Sequence, residues 1–419
     1  MKIEDVISLI ESGDIETGLA QLAKLEQTGD HETTYMVAQA YYQLGHLTNA
    51  KRLIDELIML YPDEGELYTF AAEILIDSDE EDEAIDMLLE IKEQDSAFLQ
   101  AQLFLADLYQ MQGLEEVAEQ KLLKAAKLAP NEEIVALGLG EFYLERGDYQ
   151  KSIPYLKKAL HSSETFEAYQ VELRLAEAFS ASGEFEEALI YYEKGLKKTE
   201  ELSAYFGYGY TAFQVEDYEK AIVQFKKLKE LDPNYTSLYP YLAKSYEAMH
   251  NLDEALHTIN EGLKIDEYNE ALYTQAAKIS FKMNNLIAGE NYLRDVIALN
   301  PSHVEAVQML SSFLRTEERF EELLELLSHV KELGEDDPFH TWYEGVAQWK
   351  EEEFEKAYQA FQQVNDHFQE DLDFLEDYGQ FLIEYGKREL GIQILKKVIT
   401  LDSSRDDLVE IVEQLDNSY

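Results

Sequence analysis

Cysteine is absent from this chain, and cations are scarce: 35 lysine and arginine residues stand against 86 aspartate and glutamate residues in 419 positions. Without cysteine there is no disulfide and no thiolate metal site, which fits a reducing compartment, so a cytoplasmic location is expected. The formal net charge is −51. Nucleic-acid binding draws on a basic surface, and anionic lipid repels a chain this acidic, so neither direct nucleic-acid binding nor membrane insertion is expected. Long apolar runs are missing too. None reaches the ~18 residues of a spanning helix, and the N-terminus shows no charged segment, apolar stretch and cleavage site of a secretory signal. Proline numbers seven, and the two tryptophans both fall in one stretch near the C-terminal end.

A period replaces the missing features. Small residues recur as Gly18, Ala50, Ala84, Ala118, Ser152, Ala188, Ala221, Ala255, Gly289, Ala357 and Gly391, with Leu323 as the one large member. The gaps are 32, 34, 34, 34, 36, 33, 34, 34, 34, 34 and 34 residues. A fixed interval of this size marks a repeat array. Four residues after each anchor the side chain is always apolar, as at Leu22, Ile54, Leu122, Tyr192, Phe225 and Leu395. Twelve residues before each anchor a mostly small residue recurs, as at Ala38, Ala72, Gly140, Ala176, Gly345 and Gly379. Apolar residues spaced by three and four, such as Leu173, Ala176 and Phe179, give the helical period. Two small phases on facing helices let those helices approach closely.

Punctuation falls in register. Gly13, Gly45, Gly113, Gly147, Gly183, Gly386 and Asn284 lie five residues before an anchor, where a left-handed residue ends a helix. Asp148, Glu184 and Asp253 follow such turns and suit the positive end of the next helix. Pro62, Pro130, Pro233 and Pro301 lie twelve residues after an anchor and separate repeats. Pro154 and Pro240 are expected near helix starts, and Pro338 opens the eleventh repeat.

These residues resemble the tetratricopeptide repeat family, whose unit is a helix–turn–helix of this length, and more narrowly the stand-alone arrays of Bacillus-type bacteria. The match runs over about residues 2–403. The resemblance implies an all-α, right-handed α-solenoid (superhelix) of about twelve helix–turn–helix repeats. Residues 1–403 form the expected solenoid, with a possible seam near 161–168, where one interval lengthens to 36 residues. Residues 404–419 form the expected C-terminal capping helix and tail. The first anchor's phase places Met1 already within the first helix.

Motifs for chemistry are few. The run from Gly207 to Ala212 formally fits a G-x-G-x-x-A dinucleotide fingerprint, but that fingerprint needs a preceding strand, and here it falls inside a first helix with Gly209 at a packing phase. The histidines form no H-x-x-x-H or H-E-x-x-H pair; His250 falls at a turn and His303 at a helix start. No phosphate loop or nucleophile elbow is present. Catalytic, metal and cofactor sites are accordingly expected to be absent. The acidic run from Asp77 to Glu83 reads as a solvated turn.

The resemblance also implies that first helices line a groove, with side chains at set phases from the small residue pointing inward. On that reading the N-terminal half contributes Glu32, Glu73, Asp107, Glu141 and Glu177. The later half contributes Lys244, Lys278, Lys282 and Arg315, flanked by Phe206, Tyr210, Phe213, Phe281, Trp342 and Trp349. Cationic and aromatic side chains on one surface make a good binding composition. The chaperone-tail clamp known in the family is not expected, because repeats one to three lack its cations. The expected function is a non-enzymatic scaffold or adaptor that holds a protein or peptide segment in the groove. Its alternatives are a peptide-responsive regulator of a transcription factor or signalling protein, and an assembly factor for envelope machinery.

Overall fold

The computed structural model describes residues 3–28, 30–160, 170–334, 337–402 and 404–416. Among these residues there are 25 α-helices and no strand. The chain divides into two compact units, Met1–Thr211 and Ala212–Tyr419. The lengthened interval at 161–168 lies outside the described residues.

In the first unit, helices follow in pairs. These are α1 (Ile3–Glu11) with α2 (Ile15–Thr28), α3 (His31–Gln43) with α4 (Leu47–Leu60), and α5 (Gly65–Ile76) with α6 (Glu81–Leu89). Next come α7 (Phe98–Met111) with α8 (Glu115–Leu128), α9 (Glu133–Glu145) with α10 (Tyr149–Ala159), and α11 (Val171–Ala181) with α12 (Phe185–Gly195). Helix α13 (Leu202–Gln214) spans the division between the units. The second unit continues with α14 (Tyr218–Leu231), α15 (Leu238–Ala248), α16 (Leu252–Ile265), α17 (Glu270–Lys282) and α18 (Leu286–Leu299). It ends with α19 (Val304–Thr316), α20 (Phe320–Glu332), α21 (Pro338–Lys350), α22 (Phe354–Val364), α23 (Leu372–Glu384), α24 (Arg388–Leu401) and α25 (Asp406–Asp416).

Within a pair, the small phases meet at close range. Ser152 on α10 donates its hydroxyl to the Gly140 carbonyl on α9 at 2.6 Å, and both residues are buried. A Cβ on Gly391 would stand 2.6 Å from the Gly379 carbonyl oxygen, so the α23–α24 crossing tolerates no side chain there. Leu323 is fully buried at the same phase, and α19 and α20 pack less closely than their neighbours, as its larger side chain requires.

The turn five residues before each anchor is left-handed in all twelve repeats. Glycine takes it at six of them, Gly13, Gly45, Gly113, Gly147, Gly183 and Gly386, and Asn284 at a seventh. Asp79, Glu216, His250, Glu318 and Glu352 adopt the same positive φ without being glycine. The hydrogen bonds explain the persistence: the residue after the turn donates to a carbonyl five back, as Glu353 does to Gln348 at 2.7 Å. That closure satisfies an orphan helix-end carbonyl, and it outweighs the cost of the conformation.

Pro62, Pro130, Pro233 and Pro301 lie just beyond the ends of α4, α8, α14 and α18, and Pro338 is the first residue of α21. Pro154 differs from expectation. It lies inside α10, in its second turn, because that helix begins at Tyr149 directly after the turn. At the C-terminus, α25 buries Leu408 and Val412 in the same core as Leu395 and Val398 of α24. His303 caps α19, its Nδ1 accepting from the Ala306 N–H.

Candidate functional site

First helices of successive repeats touch one another within each unit, as α5–α7 and α9–α11 do in the first and α15–α17 and α21–α23 in the second. Within each unit they form a wall on which most of the sequence-predicted residues stand.

On the wall of the first unit the carboxylates outnumber their partners. Glu32 is exposed on α3. Glu73 on α5 is half-buried and accepts from Gln100 Nε2, at 3.4 Å; burial and then the charge of Asp77 push its carboxyl up. Between α7 and α9, Asp107, Glu141 and Glu145 surround a cavity of about 350 Å³, with Gln110, Met111 and Phe142 completing its walls. Water reaches Asp107, so its desolvation is partial, and the charge of Glu145 acts in the same direction; together they push its carboxyl up to about 6. Burial also raises Glu141, against the pull of Arg174. Among the described residues Arg174 on α11 is the one cation beside these groups, 3.7 Å from Glu141 and 3.5 Å from Glu177.

Glu145, Gln110 and Met111 were not singled out by sequence. Met111 and Glu145 share a phase five residues after the small position, one step beyond the phases assigned to the groove. Their 34-residue spacing was the available signal.

The wall of the second unit is differently balanced. Lys278 pairs with Glu305 and Lys282 with Glu247, each at 2.6 Å, joining α17 to α19 and to α15. Lys244 is exposed and lies over the Tyr241 ring at 5.6 Å. Arg315 reaches two repeats along the chain to Asp377 on α23, at 2.6 Å, and also covers the Tyr343 ring. Three of the four cations are therefore engaged by the protein's own carboxylates.

The aromatic residues separate into two groups. Phe206 and Tyr210 stack on each other, Phe213 packs edge-on to Tyr241, and Phe281 packs against Phe313; all four are half-buried. Trp342 and Trp349 are buried, at 5% and 3% exposure, and so are not groove residues. Their indole N–H groups donate to Asp377 at 2.9 Å and Glu384 at 2.8 Å, joining α21 to α23. A buried indole needs such a partner, and the carboxylate that serves Trp342 is the one that holds Arg315. Burial pushes Asp377 up to about 6, against the opposing influence of Arg315 and Trp342.

Gly207 to Ala212 lie wholly within α13, with no strand before them. Among the described residues no group of three or more His, Cys, Asp or Glu side chains is placed to hold a metal ion. No helix among them is long and apolar enough to cross a membrane.

Comparison with known proteins agrees with the repeat architecture. The family "YpiA-like, tetratricopeptide repeats" matches residues 110–164, and "YpiA-like, C-terminal tetratricopeptide repeats" matches residues 338–403. A general tetratricopeptide repeat family matches residues 173–236. The TPR repeat-containing protein YpiA of Bacillus subtilis (strain 168) is 41% identical over 417 residues, covering 100% of this chain and 99% of its own length. Among solved structures, MamA aligns with 41% of this chain and 94% of its own at 17% identity and a TM-score of 0.39. The Cut9–Hcn1 structure aligns with 98% of this chain and 95% of its own at 13% identity and a TM-score of 0.39.

Proposed function

Since this chain belongs to the YpiA-like tetratricopeptide repeat proteins, we propose that it is a non-enzymatic interaction scaffold whose N-terminal first-helix wall receives a basic segment of a partner protein. The observation that carries this reading is the cavity between α7 and α9. Asp107, Glu141 and Glu145 converge there with Arg174, near Glu141, as the one cation beside them among the described residues. Like charges held together in a partly desolvated site cost stability, so an unfilled requirement for positive charge is a functional pointer. Phe142 and Met111 beside them supply apolar surface for the stem of a lysine or arginine.

The period running through residues 1–403 supports one repeat array closed by the C-terminal helix, and the lack of cysteine supports a reducing compartment. On the second unit's wall, Lys244, Lys278 and Lys282 remain exposed beside Phe281 and suit an acidic segment. Their internal pairs weaken that claim, although surface pairs are worth only about 0–1 kcal/mol and yield to a better partner.

Affinity capture tests the reading. Wild type and a variant carrying Asp107→Asn, Glu141→Gln and Glu145→Gln are compared as bait at low and at high salt. A partner retained by wild type at low salt, released by salt and lost with the variant is expected. Equal retention by both baits contradicts the assignment.

A further inference from the structure

A second cleft in the first unit differs from the α7–α9 cavity in being walled by three rings, those of His31, Tyr35 and Tyr61. It lies where α3 and α5 begin and α4 ends, with a volume of about 440 Å³. Leu57 and Leu67, both nearly inaccessible to water, form its apolar floor. His31, Tyr35 and Tyr61 stand around it. His31 Nδ1 and the Tyr61 hydroxyl share a 2.6 Å hydrogen bond with the rings edge to face, which fixes both ring planes. Tyr35 is held edge-on by Phe70. Tyr61 is nevertheless 42% exposed, so its ring is fixed in place without being covered.

Three carboxylates, Glu32, Glu64 and Glu66, border this cleft. Acidic residues at helix starts ordinarily answer the helix dipole. Here other residues already satisfy the recorded caps: Asp30 accepts from the Thr33 N–H at the start of α3, and Asp95 accepts from the Gly65 N–H at the start of α5. The nearby cations are also committed elsewhere, Lys92 to Asp63 and Arg52 to Glu26 and Glu56. Among the described residues the carboxylates of Glu32, Glu64 and Glu66 make no ion pair and no hydrogen bond.

We infer that this cleft is a receptor for a single lysine side chain of a partner's basic segment: its methylenes would lie on Leu57 and Leu67, and its ammonium would sit between the Tyr35 and Tyr61 rings and the three glutamates. An apolar floor, fixed rings and surplus negative charge are the requirements of a long-stemmed cation. A bare metal ion would leave the floor and rings unused, and an apolar side chain would leave the charges unanswered. This inference rests on the scaffold reading and names one anchor residue of the segment it receives.

The test uses the full chain and three blocked octapeptides, identical except for a central lysine, norleucine or glutamate. Binding is titrated at low salt by two-dimensional NMR, which also locates the perturbed residues. Wild type is expected to bind the lysine peptide about tenfold more tightly than the norleucine peptide, with shifts at His31 and Tyr61. The Glu32→Gln, Glu64→Gln, Glu66→Gln triple variant should lose that preference, and Tyr61→Ala should reduce it. Both are surface changes, and an unchanged thermal midpoint would confirm that the fold is intact. Equal affinity for lysine and norleucine, no binding of either, or a preference that survives the triple variant overturns the inference. If the preference survives there but is lost with Asp107→Asn and Glu141→Gln, the cleft fails and the scaffold reading stands. If neither variant alters it, the basic-segment reading falls as well.

Discussion

Single positions carry the geometry of this array, and their substitutions should separate cleanly. Gly391→Ala places a Cβ 2.6 Å from a backbone oxygen of the facing helix and 2.7 Å from Ile383. Overpacking of this kind costs roughly 1–3 kcal/mol, read as a lower denaturation midpoint. Glu352→Gly should act in the opposite direction. Its left-handed backbone costs a side-chain-bearing residue about 1–2 kcal/mol, of which glycine's greater chain entropy returns part, so a gain of about 0.5–1 kcal/mol is expected. Asp377 gives a third test. Asp377→Ala strands the Arg315 guanidinium and the buried Trp342 N–H and should cost roughly 2–4 kcal/mol, whereas Asp377→Asn keeps an acceptor oxygen for one of the two donors and should cost less. The pH dependence has a definite sign. The folded carboxyl is raised to about 6 from 3.8, so the folded state holds this proton more tightly than the unfolded chain. Its contribution to stability therefore falls as pH rises from about 4 through 6, and Asp377→Asn should remove that slope from a chemical-denaturation series.

Whole helices follow from pattern more directly than single residues do. Truncation after Asp402 removes α25 and uncovers the core that Leu408 and Val412 complete; loss of two such burials costs roughly 3–6 kcal/mol, and aggregation at the exposed end should accompany a lowered thermal midpoint. The helix pairs, their small contact phases and the repeat-separating prolines were legible in the sequence because each is set by steric rules local to one period. Three features were not legible. Glu216, Glu318 and Glu352 sit in left-handed turns that their side chains give no reason to expect, since the hydrogen-bonded closure of the repeat imposes the conformation. Pro154 stands one turn deeper in α10 than phase alone placed it. Trp342 and Trp349 had ambiguous phases, and Asp377 and Glu384, each 35 residues further on, decide their burial. Asp107 and Glu141, two of the acidic residues expected on the first helices, line one cavity, but the ion pairs around them were not legible. Helical phase says where a side chain points and nothing about whether a counter-ion from the next repeat meets it.

At the scale of the molecule, charge is the organising quantity. The formal charge of −51 favours encounter with basic partners and makes both stability and association sensitive to ionic strength. Local pairing then decides where attraction is available. The second unit's wall cations largely answer its own carboxylates, and the first unit's wall holds carboxylates in excess. Reversal of Lys244, Lys278 and Arg315 together would confound binding with folding, because Arg315 is locked to Asp377; a binding variant should leave Arg315 in place. The most direct measurement is the affinity of the full chain for a blocked basic segment carrying several lysines and arginines across a salt series, for wild type and for Asp107→Asn, Glu141→Gln, Glu145→Gln. The account predicts saturable binding that weakens steadily with salt and falls about tenfold or more in the variant. Binding that is indifferent to both salt and the three carboxylates would contradict it.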